Sequence, residues 1–189
     1  MELSFNGLTA KPLRECDIDR VNSFCGEYLG EGLYNREVLE EITQKANHYF
    51  YVIYNNEEIA AIFYCYADTA KSAITDVTEK ITEFCGKSER VGVCRSIAVA
   101  PTYRKTGLSL KLLEFFSAFL LNECGVKKIF VLAWVKGREI PAENILIAAG
   151  FRSAGRISRP WYKNERLYCP LCGGRCKCDG ELYFILITD

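Results

Sequence analysis

Two spacings of apolar residues divide the first half of this chain into predicted helices and strands. Apolar residues recur at helical spacing in "IDRVNSFCGEYL" (18–29), where Asp17 is the expected N-cap, and again in "NREVLEEITQKA" (35–46). A short strand is predicted over 8–12. The aromatic and β-branched run "HYFYVIYNNEEIAAIFYCYAD" (48–68) has a polar break at its middle, which predicts an antiparallel hairpin.

The second half alternates strands and helices. The pattern predicts a short helix within 69–88, a strand over 90–101 ended by Pro101, a helix over 107–125, a strand over 126–135, a short helix over 141–150 opened by Pro141, and a last strand over 181–189. This order of elements predicts an α/β domain built on a mixed sheet, with helices on its faces.

Composition indicates a single globular domain spanning 1–189. The chain has 189 residues, of which 49% are hydrophobic, and this excludes a disordered or fibrous protein. Lysine and arginine total 24, as do aspartate and glutamate, so the whole molecule has no net field that would attract nucleic acid or an anionic membrane. Any site for an anion must therefore be local.

No stretch of the sequence has the length of apolar residues that a membrane helix needs, about 18 in succession. The N-terminus "MELSFNGLTAKPLRECD" also lacks a basic start followed by an apolar run. We therefore expect a cytoplasmic protein that has neither a membrane nor a nucleic acid as its partner.

The stretch "VAPTYRKTGLSLKLL" (99–113) joins a strand to the longest predicted helix through a basic bend. The amides of 104–109 should converge at the helix N-terminus, where they lack intrahelical partners and favour an anion such as phosphate. Gly107 leaves room for the ligand. A polar strand-to-helix turn with one glycine is also common without any ligand. The stretch is neither a Walker loop nor a G-x-G-x-x-G turn.

"SIAVAPTYRKTGLSLKLL" (96–113) resembles the acyl-coenzyme A binding motif of the GNAT N-acyltransferase superfamily, in which V-x-P and an aromatic residue precede [RQ]-x-x-G-x-[GAS]. The matching residues are Val99, Pro101, Tyr103, Arg104, Gly107 and Ser109. "PAENILIAAGF" (141–151) is similar to the short helix of that superfamily that ends in G-F, and the resemblance covers about residues 5 to 155.

The resemblance implies a mostly antiparallel central sheet with two splayed parallel strands and acetyl-coenzyme A as donor. Backbone groups of Ile97, Ala98 and Val99 would pair with the pantetheine arm. The pyrophosphate would be held by the amides of Arg104, Lys105, Thr106, Gly107, Leu108 and Ser109. A primary amine of a small molecule or peptide would attack the thioester directly in a ternary complex, and the amide of Ile97 or Val99 would stabilise the oxyanion. A homodimer paired through sheet edges is compatible with the resemblance.

The catalytic acid is where the chain departs from the superfamily pattern. Many members carry a tyrosine four residues before the glycine of G-F, and this chain has Leu146 there. Tyr162 and Tyr103 are candidate acids in its place, and Glu89 is the candidate base, each weighed against an ordinary structural role. His48, the single histidine, is interpreted as structural.

Four of the ten cysteines lie close together in "CPLCGGRCKC" (169–178), within an insert over 165–180 that precedes the last strand. The ligands expected for a metal are Cys169, Cys172, Cys176 and Cys178. Four thiolates complete a tetrahedral zinc site with no open position, so zinc would be structural. Disulfides, a redox-active thiol pair and an iron–sulfur cluster are the alternatives.

The remaining six cysteines are mostly expected to be reduced thiols; they are Cys16, Cys25, Cys65, Cys85, Cys94 and Cys124.

Four functional hypotheses follow from these motifs. The leading one is an acetyl-coenzyme A dependent N-acetyltransferase. The departure at Leu146 makes a non-catalytic acyl-coenzyme A binding or sensing protein the second. A zinc-dependent interaction module and a thiol-redox protein are the others, and both depend on the cysteine insert alone.

Overall fold

A single large sheet runs through the molecule in a computed structural model that describes residues 3–5 and 7–186. Within that part of the chain the sheet has eight strands in the order β1-β2-β3-β4-β5-β6-β10-β7, and β8 with β9 forms a separate hairpin. The strands are β1 Leu3–Phe5, β2 Leu8–Pro12, β3 His48–Asn55, β4 Glu58–Thr69, β5 Arg90–Val99, β6 Lys128–Trp134, β7 Arg152–Ile157, β8 Tyr168–Cys169, β9 Gly174–Arg175 and β10 Gly180–Leu186.

The helices cover both faces of this sheet. They are α1 Ile18–Leu29, α2 Arg36–Gln44, α3 Ala70–Ala73, α4 Thr78–Thr82, α5 Leu108–Cys124 and α6 Glu143–Ala148. Single 3-10 turns lie at Glu15–Asp17, Thr75–Val77 and Pro101–Tyr103. None of the helices among the described residues combines the length and the apolar character needed to cross a bilayer.

The sheet separates two hydrophobic cores because successive side chains of a strand point to opposite faces. Ile62 of β4 lies in the core beneath α1 and α2, and its neighbour Phe63 lies in the core beneath α5. The ring of Phe63 stacks on Phe116 of α5 with ring centroids 4.5 Å apart. Strands buried on both faces explain why the hairpin over 48–68 is apolar almost throughout.

The predicted fold is confirmed as a mixed α/β domain with a mostly antiparallel sheet, and the cysteines precede the last strand. The part of that strand predicted over 187–189 lies outside the described residues. Asp17 is the N-cap residue of α1, as predicted, but its side chain makes no cap hydrogen bond. Its carboxylate instead accepts a hydrogen bond from Arg14 Nε at 2.8 Å.

The feature that positions the site is the short pairing of β5 with β6, the sole parallel pair in the described sheet. These strands pair only at Gly92 with Ile129 and at Val93 with Phe130. A bulge follows at once. Cys94 pairs with Cys65 of β4 and Ser96 pairs with Tyr64, so Arg95 between them has no partner on β4. A bulge bends its strand. Past it, β5 stays with β4 while β6 stays with β10, and a gap opens between them.

The paired end of β5 and β6 is packed too closely for a side chain at Gly92. A Cβ there would lie 3.1 Å from Ile129 Cγ1, 3.1 Å from Leu120 Cδ1 and 3.2 Å from Val126 Cγ2. All three neighbours are buried, so none can move freely to make room. The glycine therefore lets α5 sit directly on the point where the two strands meet.

We predict that Gly92→Ala lowers the free energy of unfolding by about 1–3 kcal/mol through overpacking. Gly86→Ala is the matched control, because a Cβ at Gly86 meets nothing within 4 Å and that residue does not have a positive φ. Urea denaturation of both variants measures the difference. Equal stability of the two variants would show that the junction is not tightly packed.

Candidate active site and cysteine cluster

The turn between β5 and α5 presents backbone amides to solvent. Lys105 and Gly107 both have a left-handed backbone, with φ of 62° and 80°, and residues 104–107 are exposed. Lys111 donates its amide to the Gly107 carbonyl at 3.1 Å as the helix is entered. The amides just before it have no intrahelical acceptor, so the start of α5 can bind an anion. A Cβ at Gly107 would meet nothing within 4 Å, so the space in front of it is open.

The Arg104 amide differs from the others because it already donates to Pro101 O at 3.2 Å. Its guanidinium donates to Val99 O at 2.9 Å and lies 5.5 Å from the ring centre of Tyr28 in α1. Arg104 thus ties the turn to the end of β5 and to α1. Tyr103, a candidate acid, is held by the β3–β4 turn, where its hydroxyl donates to Glu58 Oε2 at 3.1 Å.

The edge of β5 that faces the gap carries two of the three residues predicted to bind pantetheine. From Ser96 to Val99 this strand is paired with β4 on one side, and β6 has left its other side. A free strand edge offers N–H and C=O groups in the spacing that an extended ligand can match. Ile97 and Val99 direct their backbone groups to this edge, immediately before the turn, whereas those of Ala98 face β4, because the Ala100 amide donates to Ala60 O and the pairing alternates along the strand. The structure therefore brings the two predicted parts of the cofactor site together.

A buried tyrosine that the sequence motifs did not indicate lies at the bulge. Tyr34, in the loop between α1 and α2, is 4% exposed, and its hydroxyl lies 2.5 Å from Ser96 Oγ. Burial raises the pKa of Tyr34, so the hydroxyl stays neutral. Its ring packs edge-on against Phe50 and Tyr64. The two hydroxyls are 62 residues apart in sequence, and no motif links them.

His48 belongs to the same aromatic group. Its ring stacks on Tyr66 with centroids 4.8 Å apart, and Nδ1 lies 2.6 Å from Tyr64 Oη. Burial lowers the pKa of His48, which favours the neutral ring. These contacts are those expected of a histidine that packs in a core.

The structure does not bring the candidate base and acid to the gap. Glu89 lies before β5 at its paired end, where Lys128 Nζ donates to its carboxylate at 2.5 Å and lowers the pKa of Glu89. Tyr162 is 40% exposed, and its ring lies under the guanidinium of Arg175 at 4.2 Å. Neither residue contacts the turn or Ser96. Both assignments remain predictions.

Leu146, which stands in place of the tyrosine of the superfamily pattern, is buried at 1% exposure in the core beneath α5. A tyrosine of β10 supplies a hydroxyl nearby. Tyr183 packs in the same core and donates to Glu143 Oε1 at 3.0 Å, in the helical turn before Leu146. Burial, with the hydrogen bond to Glu143, raises the pKa of Tyr183 to about 12. No motif singles out Tyr183, which appears in the sequence as one residue of an apolar strand.

The four clustered cysteines converge on one point. Their Sγ atoms all lie within 4.8 Å of one another, and the closest contacts run from Cys178 to Cys172 at 3.5 Å and to Cys169 at 3.9 Å. Tetrahedral zinc with bonds of about 2.3 Å would separate its sulfurs by about 3.8 Å. The Lys177 amide already donates to Cys172 Sγ at 3.3 Å, as expected around a thiolate. The donor set therefore fits a zinc ion.

A buried polar atom beside the cluster supports this fit. The indole Nε1 of Trp134, at the end of β6, is buried and has no hydrogen-bond partner among the described residues. Trp134 packs with Cys178 against the buried residues Leu167 and Cys169. A thiolate sulfur at Cys178 would be an acceptor for the indole, whereas a neutral thiol is a poor one.

The other six cysteines are all free in the structure. Burial raises the pKa of the Cys25 and Cys94 thiols to about 12, so both stay protonated and unreactive at neutral pH. Cys16 is exposed. These residues behave as apolar core positions or isolated thiols, and they do not form a second cluster among the described residues.

A surface cavity of about 430 Å³ opens beside the loop between α1 and α2. Its lining residues are Asn22, Ser23, Gly26, Glu27, Glu31 and Gly32. One wall is α1 and the other is the loop that carries Tyr34. The cavity therefore lies on the side of the sheet from which that tyrosine reaches the bulge.

A splayed parallel pair followed by an exposed helix N-terminus is the arrangement that the sequence motif predicted, and comparison with known proteins agrees. Residues 18–151, more than half of the chain, match the Acetyltransferase (GNAT) family. The protein therefore belongs to this family. No curated protein sequence matches the chain significantly.

The chain is also similar in fold to solved structures of acetyltransferases, two of which are named for different acceptors. Arabidopsis thaliana NAA60 in complex with acetyl-CoA gives a TM-score of 0.73 at 13% identity, covering 96% of this chain and 99% of that one. The ribosomal-protein-S18-alanine N-acetyltransferase of Escherichia coli gives 0.64 at 18% identity, covering 96% and 95%. A mutant of SpeG spermidine N-acetyltransferase from Vibrio cholerae gives 0.65 at 12%, covering 96% and 95%. At these identities the likeness establishes the fold.

Proposed function

We propose that the protein transfers an acetyl group from acetyl-coenzyme A to a primary amine of a small molecule or a peptide. The observation that carries the proposal is the separation of β5 from β6 directly beside an exposed turn of free amides. The open edge of β5 suits an extended pantetheine arm, and the turn of amides suits a pyrophosphate. The edge and the turn follow one another in the same order as these two groups in coenzyme A.

The cofactor contacts follow from the backbone groups that face the gap and the turn. Ile97 and Val99 would pair with pantetheine through the open edge of β5, and the Val99 carbonyl would share this role with its bond from Arg104 Nε. The amides of 105–109 would surround the pyrophosphate, and Lys105 would add positive charge. The Arg104 amide already has a partner, so this residue would contribute through its guanidinium.

The chemistry assigned to the chain is mostly positioning. The deprotonated amine attacks the thioester carbonyl, a C–N bond forms, and the C–S bond breaks to release the thiolate, which takes up a proton. The backbone amide of Ile97 or Val99, next to the bulge, would donate to the oxyanion. Solved relatives include a spermidine acetyltransferase and ribosomal-protein alanine acetyltransferases, so both a polyamine and a peptide N-terminus are reasonable acceptors.

We predict that Gly107→Asp abolishes the binding of acetyl-coenzyme A, because its carboxylate would repel the pyrophosphate and its side chain would fill the space in front of the amides. Gly7→Asp is the matched control. Gly7 has a φ of 83° against 80° for Gly107, and a Cβ at either position meets nothing within 4 Å. Isothermal titration calorimetry measures the dissociation constant. Unchanged binding by Gly107→Asp would place the pyrophosphate elsewhere.

The proton-transfer groups are tested by comparing Glu89→Gln, Tyr162→Phe and Tyr183→Phe. A general acid or base contributes about 10²–10⁴-fold to the rate, so loss of the true group should lower kcat by that factor without changing the acetyl-coenzyme A affinity. Because the Tyr183 hydroxyl contacts Glu143, one helical turn before Leu146, we expect Tyr183→Phe to show the largest loss among the three. Spermidine and an alanine-initiated peptide serve as acceptors. A larger loss in Glu89→Gln or Tyr162→Phe would restore the assignment made from the sequence.

A coenzyme A sensor without turnover is the second candidate, and the observation that favours it is Leu146. This side chain is fully packed and supplies no hydroxyl where many family members have one. Tight acetyl-coenzyme A binding with no acetylation across a broad panel of amines would support the sensor.

We also propose that Cys169, Cys172, Cys176 and Cys178 hold one structural zinc ion. When bound, zinc would cross-link a segment that is too short to fold around a core of its own. Arg175 and Lys177 are the cationic residues between the first and the last cysteine ligand, and they would moderate the charge of four thiolates.

We predict that the purified protein contains one zinc ion per chain and that Cys172→Ser loses it. Cys16→Ser is the control, since Cys16 is exposed and lies outside the cluster. A chelator should release the metal and make the four clustered thiols reactive with a thiol reagent. Atomic absorption and thiol titration measure both. A metal-free protein with these cysteines joined as disulfides would contradict the zinc assignment.

A further inference from the structure

The cysteine insert (165–180) does not stand apart from the fold. It packs against the loop between α1 and α2 (30–35), here called the α1–α2 loop. Tyr168 donates its amide to Glu31 O at 2.8 Å, and these two residues form a strand-like bridge. Leu33 packs against the small buried core of the insert, formed by Leu167, Cys169 and Cys176.

Two glycines allow this contact. A Cβ at Gly32 would lie 1.9 Å from Arg166 O, and one at Gly30 would lie 2.9 Å from Leu167 Cδ1. Both glycines have positive φ, of 76° and 113°, which side chains rarely adopt. The α1–α2 loop is therefore shaped to lie directly on the backbone of the insert.

The same loop reaches the point where the gap opens. Tyr34 follows Gly32 by two residues, and its hydroxyl contacts Ser96 at the bulge of β5. On the opposite side, the insert holds the end of β6. Val135 donates its amide to Asp179 O at 3.0 Å, and Trp134 packs on the buried residues beside the cluster. The insert thus connects the two sides of the gap.

The insert has little to hold it together besides the cysteines. Its hairpin pairs only Tyr168 with Arg175 and Cys169 with Gly174. Two of its cysteines belong to the three-residue core that Leu33 contacts. Such a small core cannot fix the segment in one conformation, so its order should depend on a metal cross-link. The order of the α1–α2 loop should then depend on the metal as well.

We propose that metal binding at the four cysteines positions the α1–α2 loop, which reaches the bulge through Tyr34 and lines the surface cavity beside α1, and that the acceptor amine enters on this side, here called the acceptor side, while the coenzyme A turn is independent of the metal. The inference rests on the proposed transferase function, because only a transferase has an acceptor amine to bind on that side. The cavity of about 430 Å³ shares Glu31 and Gly32 with the contact, so its shape changes if the loop leaves the insert. Zinc is then a positioning element remote from the reacting atoms.

Hydrogen exchange by mass spectrometry tests the coupling directly, without any substrate. The zinc-loaded protein is compared with the protein after chelation. We expect amide exchange in 30–34 to rise about tenfold or more together with exchange in 165–180. Exchange in 104–113 should stay unchanged. Faster exchange confined to 165–180, with 30–34 unaffected, would overturn the proposal.

Gly32→Ala breaks the contact while leaving all four thiolates in place. Its Cβ would clash with Arg166 O, so the loop should separate from the insert. Gly7→Ala is the matched control, with a similar φ of 83° and open space around the Cβ. We expect Gly32→Ala to retain one zinc ion and normal acetyl-coenzyme A affinity, with faster exchange in 30–34. With spermidine or the alanine-initiated peptide, the acceptor KM should rise by about tenfold, close to 1.4 kcal/mol, more than kcat falls.

The outcomes separate this inference from the proposed function. Exchange and KM in Gly32→Ala equal to those of Gly7→Ala would overturn the coupling. If acetyl-coenzyme A does not bind, or if no amine of a broad panel is acetylated, the transferase proposal fails, and exchange in 30–34 still decides whether the metal orders the loop. If chelation unfolds the whole domain, the zinc-loaded Gly32→Ala protein supplies the decisive exchange measurement.

Discussion

The separation of β5 from β6 is the constraint on which the rest of the site depends. Two pairs of residues, Gly92 with Ile129 and Val93 with Phe130, hold the strands together at one end. The bulge after Cys94 turns β5 away from β6 at the other end. Gly92 permits α5 to pack on the junction, and α5 begins at the turn whose amides remain free. One local irregularity therefore creates an open strand edge and directs it toward an anion site.

Each wall of the gap is stabilised by a different part of the chain. β5 is held by β4, by Arg104 at its end and by Tyr34 at the bulge. β6 is held by β10 and, past its end, by the cysteine insert. Because the insert also binds the α1–α2 loop, it joins the two walls across the acceptor side.

Local features of the sequence predicted much of this arrangement. The main helices and strands, the turn ending at Ser109 and the convergence of four cysteines all depend on neighbouring residues, and the structure has each of them. The strands β1, β7, β8 and β9 were not predicted. Long-range contacts could not be predicted. β10 inserts between β6 and β7, and Tyr34 meets Ser96, through packing that no local spacing records. Asp17 is the N-cap residue of α1, but its carboxylate binds Arg14, three residues before it, rather than a helix amide.

The central claim is that the gap and the turn together form one site for acetyl-coenzyme A. The most direct measurement is the amide exchange of the protein with and without saturating acetyl-coenzyme A. The account predicts slower exchange at Ile97, Val99 and 105–109, with β1 to β3 unaffected, because bound pantetheine and pyrophosphate would occupy those amides. Slower exchange elsewhere, with no change at these residues, would contradict it.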